Sequence, residues 1–128
     1  AKKRRASINV RAKGFRNNKG KALVAVFRSS DGFPDKVKKA YRKAEVVIKN
    51  KKINLTFSDL PKGTYAVAIH HDEDGDYKMD TNLVGIPTEG YGVSNNATGT
   101  FGPPKFKDAR FKLRKKQSKL VVIKIIYH

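Results

Sequence analysis

Apolar and polar residues alternate along much of this chain with a period of two, the pattern of strands that bury one face. Ile8, Val10 and Ala12 alternate with Asn9, Arg11 and Lys13, which predicts a first strand. The stretch RNNKGK follows, and its Asn and Gly residues tolerate the positive φ of tight turns. KALVAVFR then reads as a second strand, antiparallel to the first. EVVIKN and KKINLTFSDL predict two more strands around a tight turn at Asn50 and Lys51. The clearest strand is GTYAVAIHH, with Tyr65, Val67 and Ile69 on one face and Ala66, Ala68 and His70 on the other. DARFKLRK alternates again, and the final KLVVIKIIY is apolar on both faces, as a central strand would be. The one helical candidate is FPDKVKKAYRKAE, where Val37, Ala40, Tyr41 and Ala44 recur at helical spacing behind Pro34 and Asp35.

This pattern predicts an all-β fold: an antiparallel β-sandwich of about seven strands, immunoglobulin-like or prealbumin-like, with one short helix. The 128 residues suit one domain spanning 1–128, with residues 1–6 as a basic, flexible N-terminal tail. From 72 to 104 the periodicity disappears. That segment holds six of the ten glycines and three of the five prolines, so a long loop is expected across one end of the sandwich. No membrane span is expected, because no apolar run approaches the ~18 residues that a spanning helix needs. The absence of cysteine excludes disulfides and thiolate metal sites.

Charge changes the picture. Lys and Arg number 29 against 11 Asp and Glu, a formal +18, and an excess of that size attracts polyanions such as nucleic acid, acidic glycan or anionic lipid. The densest clusters are Lys2, Lys3, Arg4 and Arg5; Lys38, Lys39, Arg42 and Lys43; and Arg110, Lys112, Arg114, Lys115 and Lys116. They are candidates for salt-sensitive, sequence-independent binding. A solvated face that keeps the chain soluble, or an engineered, supercharged surface, gives the same pattern.

Five of the acids, Asp72, Glu73, Asp74, Asp76 and Asp80, fall within nine residues that contain one base, Lys78. Asp72, Asp74, Asp76 and Asp80 stand at loop positions 1, 3, 5 and 9, the spacing at which a turning loop offers oxygen donors to Ca²⁺. Gly75 comes one place early for an EF-hand, and Leu83 occupies its glutamate position. The expectation is therefore a looser Asp-rich Ca²⁺ loop, with a bare polar turn as the alternative. His70 and His71 precede it, but neighbours on a strand point to opposite faces, which argues against a shared zinc. Ser94, His71 and Glu89 could be assembled on paper into a triad, yet no nucleophile-elbow sequence surrounds Ser94, and no catalysis is expected. Glu89, Tyr91, Asn95 and Asn96 could face a ligand, or the two Asn side chains could simply bond the backbone.

The run LPKGTYAVAIHHDEDGDYKMDTNLVGIPTEGYGVSNNATGTFGPPKFKDARF, with FRNNKGKALVAVFRSSDGFP upstream, resembles the bacterial Domain of Unknown Function 2141 family. Its EGYG–SNN and GPP–F pieces carry the likeness. Asp74 stands where many members have Asn, which adds charge to the acidic loop, and Val93 replaces a common Phe. The resemblance implies an exported protein, periplasmic, secreted or at the cell surface, and it supplies no activity. The expected function is a non-catalytic exported binding or accessory module with a Ca²⁺-stabilised loop. The alternative is a cationic polyanion-binding protein, natural or engineered.

Overall fold

The computed structural model describes residues 5–73, 90–98 and 103–127. Eight strands are formed: β1 (Ala6–Lys13), β2 (Lys21–Phe27), β3 (Arg42–Val47), β4 (Lys52–Leu60), β5 (Gly63–Asp72), β6 (Tyr91–Val93), β7 (Phe111–Leu113) and β8 (Ser118–Lys124). One short helix, α1 (Phe106–Ala109), accompanies them. The strands make a β-sandwich of two sheets, ordered β4-β1-β8 and β3-β2-β5-β6, with β7 also beside β5.

The alternation read from the sequence is what fills the space between the sheets. Ala6, Ile8, Val10 and Ala12 of β1 point inward against Ala22, Val24 and Val26 of β2 and Tyr65, Val67 and Ile69 of β5. Ile53, Phe57, Leu60, Leu113, Val121 and Ile123 complete this core. A second, smaller core lies outside the larger sheet, where Ala25, Phe27, Ala66 and Ala68 are covered by Phe33, Phe106 and Ala109. Phe33 bridges it, edge-on to Phe27 at 5.3 Å and to Phe106 at 5.7 Å. This cover explains why β5 is buried on both faces.

Three local expectations are corrected. β1 and β2 do not form a hairpin: β1 pairs with β4 and β8, and β2 with β3 and β5. The seven residues between them span the roughly 10 Å from one sheet to the other, with Phe15 buried at the crossing. The helix expected over 33–45 is reduced to a single 3₁₀ turn at Val37–Lys39, followed by β3. A strand here lets Ala44 and Val46 face the core while pairing satisfies the edge of β2. A helix would instead have gathered Lys36, Lys38, Lys39, Arg42 and Lys43 on about three turns. The tight turn expected at Asn50 and Lys51 forms between β3 and β4, with both residues at positive φ and Lys49 bridged to Lys52 across it, and it carries the chain from one sheet to the other. Finally, β8 is an edge strand, not a central one. It lies parallel to β1 while every other strand pair among the described residues is antiparallel, and its outer residues Leu120 and Val122 stay exposed.

The sandwich is stitched where β8 runs on past its end. Ile126 N–H donates to the Tyr91 carbonyl at 2.8 Å and Tyr91 N–H returns a bond to Ile126 at 3.0 Å, joining the two sheets through β6. Gly92 permits this approach, since a Cβ there would lie 2.8 Å from the Lys124 carbonyl oxygen and 2.7 Å from Ile123 Cγ2.

Candidate functional site

The acidic segment begins at the end of β5, and the described part of that end is a closed polar cluster. His71 is fully buried. Its Nε2 lies 2.8 Å from the Lys19 carbonyl, which can only accept, so Nε2 carries the proton in the neutral ring. Nδ1 then accepts from the Tyr127 hydroxyl at 2.7 Å, and that same hydroxyl accepts the Arg16 backbone N–H at 3.0 Å. Phe15 packs edge-on to the imidazole at 5.3 Å. The Arg16 guanidinium lies over the Tyr127 ring, 4.7 Å from its centre, and binds both carboxylate oxygens of Glu73. Asn17 Nδ2 adds a third bond to Glu73 at 2.8 Å. These bonds from Arg16, ahead of the bond from Asn17, hold the Glu73 carboxyl below its usual range, while burial pushes the Tyr127 phenol up. The arrangement ties the β1–β2 connection to the end of β5. It engages both nitrogens of His71, and His70 sits half-buried on the opposite face of the strand.

Asp72, the first of the expected Ca²⁺ ligands, is the last residue of β5 and is 2% exposed. Its backbone pairs with Lys21, and its carbonyl lies against Gly20. Asp74, Asp76, Asp80 and Glu89 lie outside the described residues. Among the described residues, no three His, Asp or Glu side chains come together as a metal site.

The Ser94–Asn95–Asn96 corner holds backbone. Ser94 is buried; its Oγ accepts the Val67 N–H at 3.0 Å and donates to the Ala109 carbonyl at 2.6 Å. Asn95 and Asn96 take positive φ. Asn95 Nδ2 donates to the carbonyls of Asp108 and Arg110, and Asn96 Oδ1 accepts the Lys124 N–H at 2.9 Å. Tyr91 pairs with His70 in β5 and with Ile126. Ser94 and His71 are engaged at separate places in the sheet and do not bond each other.

Of the basic candidates, Lys2, Lys3 and Arg4 lie outside the described residues. Arg5 pairs with Asp59 at 3.4 Å and Lys39 with Asp31 at 3.4 Å. Arg42 lies over the Tyr41 ring and reaches the Asp59 carbonyl. Lys38 and Lys43 are exposed, as are Arg110, Lys112, Arg114, Lys115 and Lys116 on and around β7.

Strand register assembles a cationic feature that the linear sequence does not display. Lys13 of β1 stands opposite Lys52 of β4 on one side and Lys124 of β8 on the other. Three lysines therefore lie in a row across the outer face of the smaller sheet, at strand spacings of about 4.8 Å. Lys49 extends the row through its bridge to Lys52. In the outward row next to it, Arg11 lies between Asn54 and Val122, and its Nε donates to Asn9 Oδ1 at 3.0 Å. A groove of about 920 Å³ opens here, lined by Arg11, Lys13, Lys49 and Lys52 together with Val46, Val47, Ile53 and Val122, and by no acidic residue among those described.

A family model described as "Uncharacterized protein conserved in bacteria (DUF2141)" matches residues 10–121. No curated protein and no solved structure matches the chain.

Proposed function

The chain belongs to the DUF2141 family of uncharacterized bacterial proteins, and from its own residues we propose that it is a non-catalytic binding module whose ligands are polyanions. The observation that carries this reading is the row of Lys52, Lys13 and Lys124. Like charges directly opposed on a sheet destabilise it, and among the described residues no acidic side chain lines the adjoining groove to offset them. An anionic ligand supplies that compensation. The non-catalytic part of the reading is supported by Ser94 and His71, whose polar atoms are spent on Val67, Ala109, Lys19 and Tyr127. The export implied by the family resemblance would bring this surface to the anionic polymers and lipids of the cell envelope.

The test is binding to heparin and to DNA oligonucleotides of unrelated sequence across a salt titration. The expected result is affinity that ignores sequence and whose logarithm falls linearly with that of the salt concentration. Absent binding, or binding indifferent to salt, overturns the reading.

A second reading adds Ca²⁺ at Asp72, Asp74, Asp76 and Asp80. Its support is the spacing of these four carboxylates, with Asp72 almost fully buried at the root of the acidic segment. Melting in EDTA, Ca²⁺ and Mg²⁺ at matched ionic strength tests it. At a hundred times its dissociation constant an ion that binds only the folded state adds ~2.7 kcal/mol. A Ca²⁺-selective rise that Asp76→Ala abolishes supports the reading, and unchanged melting removes it.

A further inference from the structure

The outward positions of β4, β1 and β8 form a face with two kinds of side chain that a purely electrostatic site does not need together. One is the cation set, Lys52, Lys13 and Lys124 in one row with Arg11 in the next. The other is aliphatic. Val122 stands beside Arg11, and Leu120 beside Asn9 one row further on. They are 46% and 51% exposed. Between them the face carries neutral hydrogen-bonding groups: Asn9 Nδ2 donates to Asn54 Oδ1 at 2.8 Å and to Thr56 Oγ1 at 3.0 Å.

The combination discriminates among polyanions. Binding of single-stranded nucleic acid gains from aromatic platforms on which bases stack, and neither the groove nor the outward rows between Asn9 and Lys13 contain an aromatic residue. A hydrated phosphate or carboxylate polymer gains nothing from exposed Val and Leu. An anionic bilayer surface uses both: headgroup phosphates meet the lysines, and the aliphatic side chains leave water for the interfacial region. Lysine stems add apolar length while their ammonium groups remain at headgroup level.

We infer that the outer face of the β4–β1–β8 sheet docks this protein on an anionic lipid surface, with Lys13, Lys52 and Lys124 on the headgroups and Leu120 and Val122 in the interface. The inference rests on the polyanion reading above and names the ligand and the surface. The membrane is touched from one side, and no helix among the described residues is long and apolar enough to cross it.

The experiment is co-sedimentation of the full chain with phosphatidylcholine vesicles, with and without about 30% phosphatidylglycerol, near physiological ionic strength. Wild type is expected to bind only the anionic vesicles. Replacing Lys13, Lys52 and Lys124 by Thr is expected to cut partitioning roughly a hundredfold, from about fivefold per lysine. Leu120→Ser with Val122→Ser is expected to lower vesicle binding several-fold and leave heparin binding intact. A control triple at Lys112, Arg114 and Lys115 is expected to change vesicle binding far less. Circular dichroism melts confirm that each variant is folded. Vesicle binding unaffected by the serine pair, or lost equally in the control triple, overturns the inference while the polyanion reading stands. Failure of wild type to bind vesicles, heparin and DNA alike overturns both.

Discussion

The Tyr127 hydroxyl lies 2.7 Å from His71 Nδ1 and 3.0 Å from the Arg16 backbone nitrogen, so one phenol close to the C-terminus satisfies a buried ring and a loop amide together. Tyr127→Phe removes that oxygen and leaves the buried His71 Nδ1 without its donor. A cost of about 1–3 kcal/mol is expected, seen as a melting temperature lower by several degrees. Exchange of the Arg16 amide in hydrogen–deuterium measurements should rise with it.

Glu73 sets a pH dependence. Its carboxyl is held below the ordinary value of 4.5, first by the bond from Arg16. A carboxylate with a depressed folded-state pKa stabilises the fold at pH above its unfolded value, and that contribution is lost as pH falls through the folded value. Glu73→Gln should therefore lower the melting temperature by a constant amount at neutral pH. The gap from wild type should shrink below about pH 4.5 and close in stronger acid.

Lys13 stands between two lysines. Lys13→Thr removes like-charge opposition and adds a good strand former. The variant is expected to be more stable than wild type by a few tenths to about 1 kcal/mol in dilute buffer. The advantage should fade as salt is raised, because screening relieves the same repulsion in wild type. Urea denaturation at two ionic strengths checks this.

Gly20 has φ +60, and a Cβ built there would sit 1.9 Å from the Asp72 carbonyl oxygen. Backbone lies on both sides of that contact, so no side-chain rotation can relieve it. Gly20→Ala is expected to destabilise by more than about 3 kcal/mol and to displace the end of β5 from β2. Loss of dispersion in the proton NMR spectrum near His71 would report the displacement.

Strand positions and faces were largely legible in the sequence because half-burial writes a period of two. That pattern located β5 with Tyr65, Val67 and Ile69 facing inward, and the Asn50–Lys51 turn followed from turn chemistry. Partner choice was not legible. The alternation of Ile8, Val10 and Ala12 fits a strand beside β2 as well as one facing it across the core, and the length of the connection decided the matter. The helical spacing at Val37, Ala40, Tyr41 and Ala44 was overruled by the open edge of β2, which rewards pairing over local propensity. The apolar outer face of β8 suggested a buried strand, whereas Leu120 and Val122 are exposed. The lysine row could not be seen at all beforehand, since residues 13, 52 and 124 become neighbours only through register.

The parallel pairing of β1 with β8 also governs the order in which the molecule can be completed. Ser7 and Ser118, 111 residues apart, are partners in that ladder. During synthesis β1 can meet β4 early, but its second edge stays unpaired until β8, 111 residues further along, has left the ribosome. Contacts of such long sequence separation make folding slow. The nascent protein therefore spends that interval with an open strand edge, guarded chiefly by the positive charge that Arg11 and Lys13 place along it.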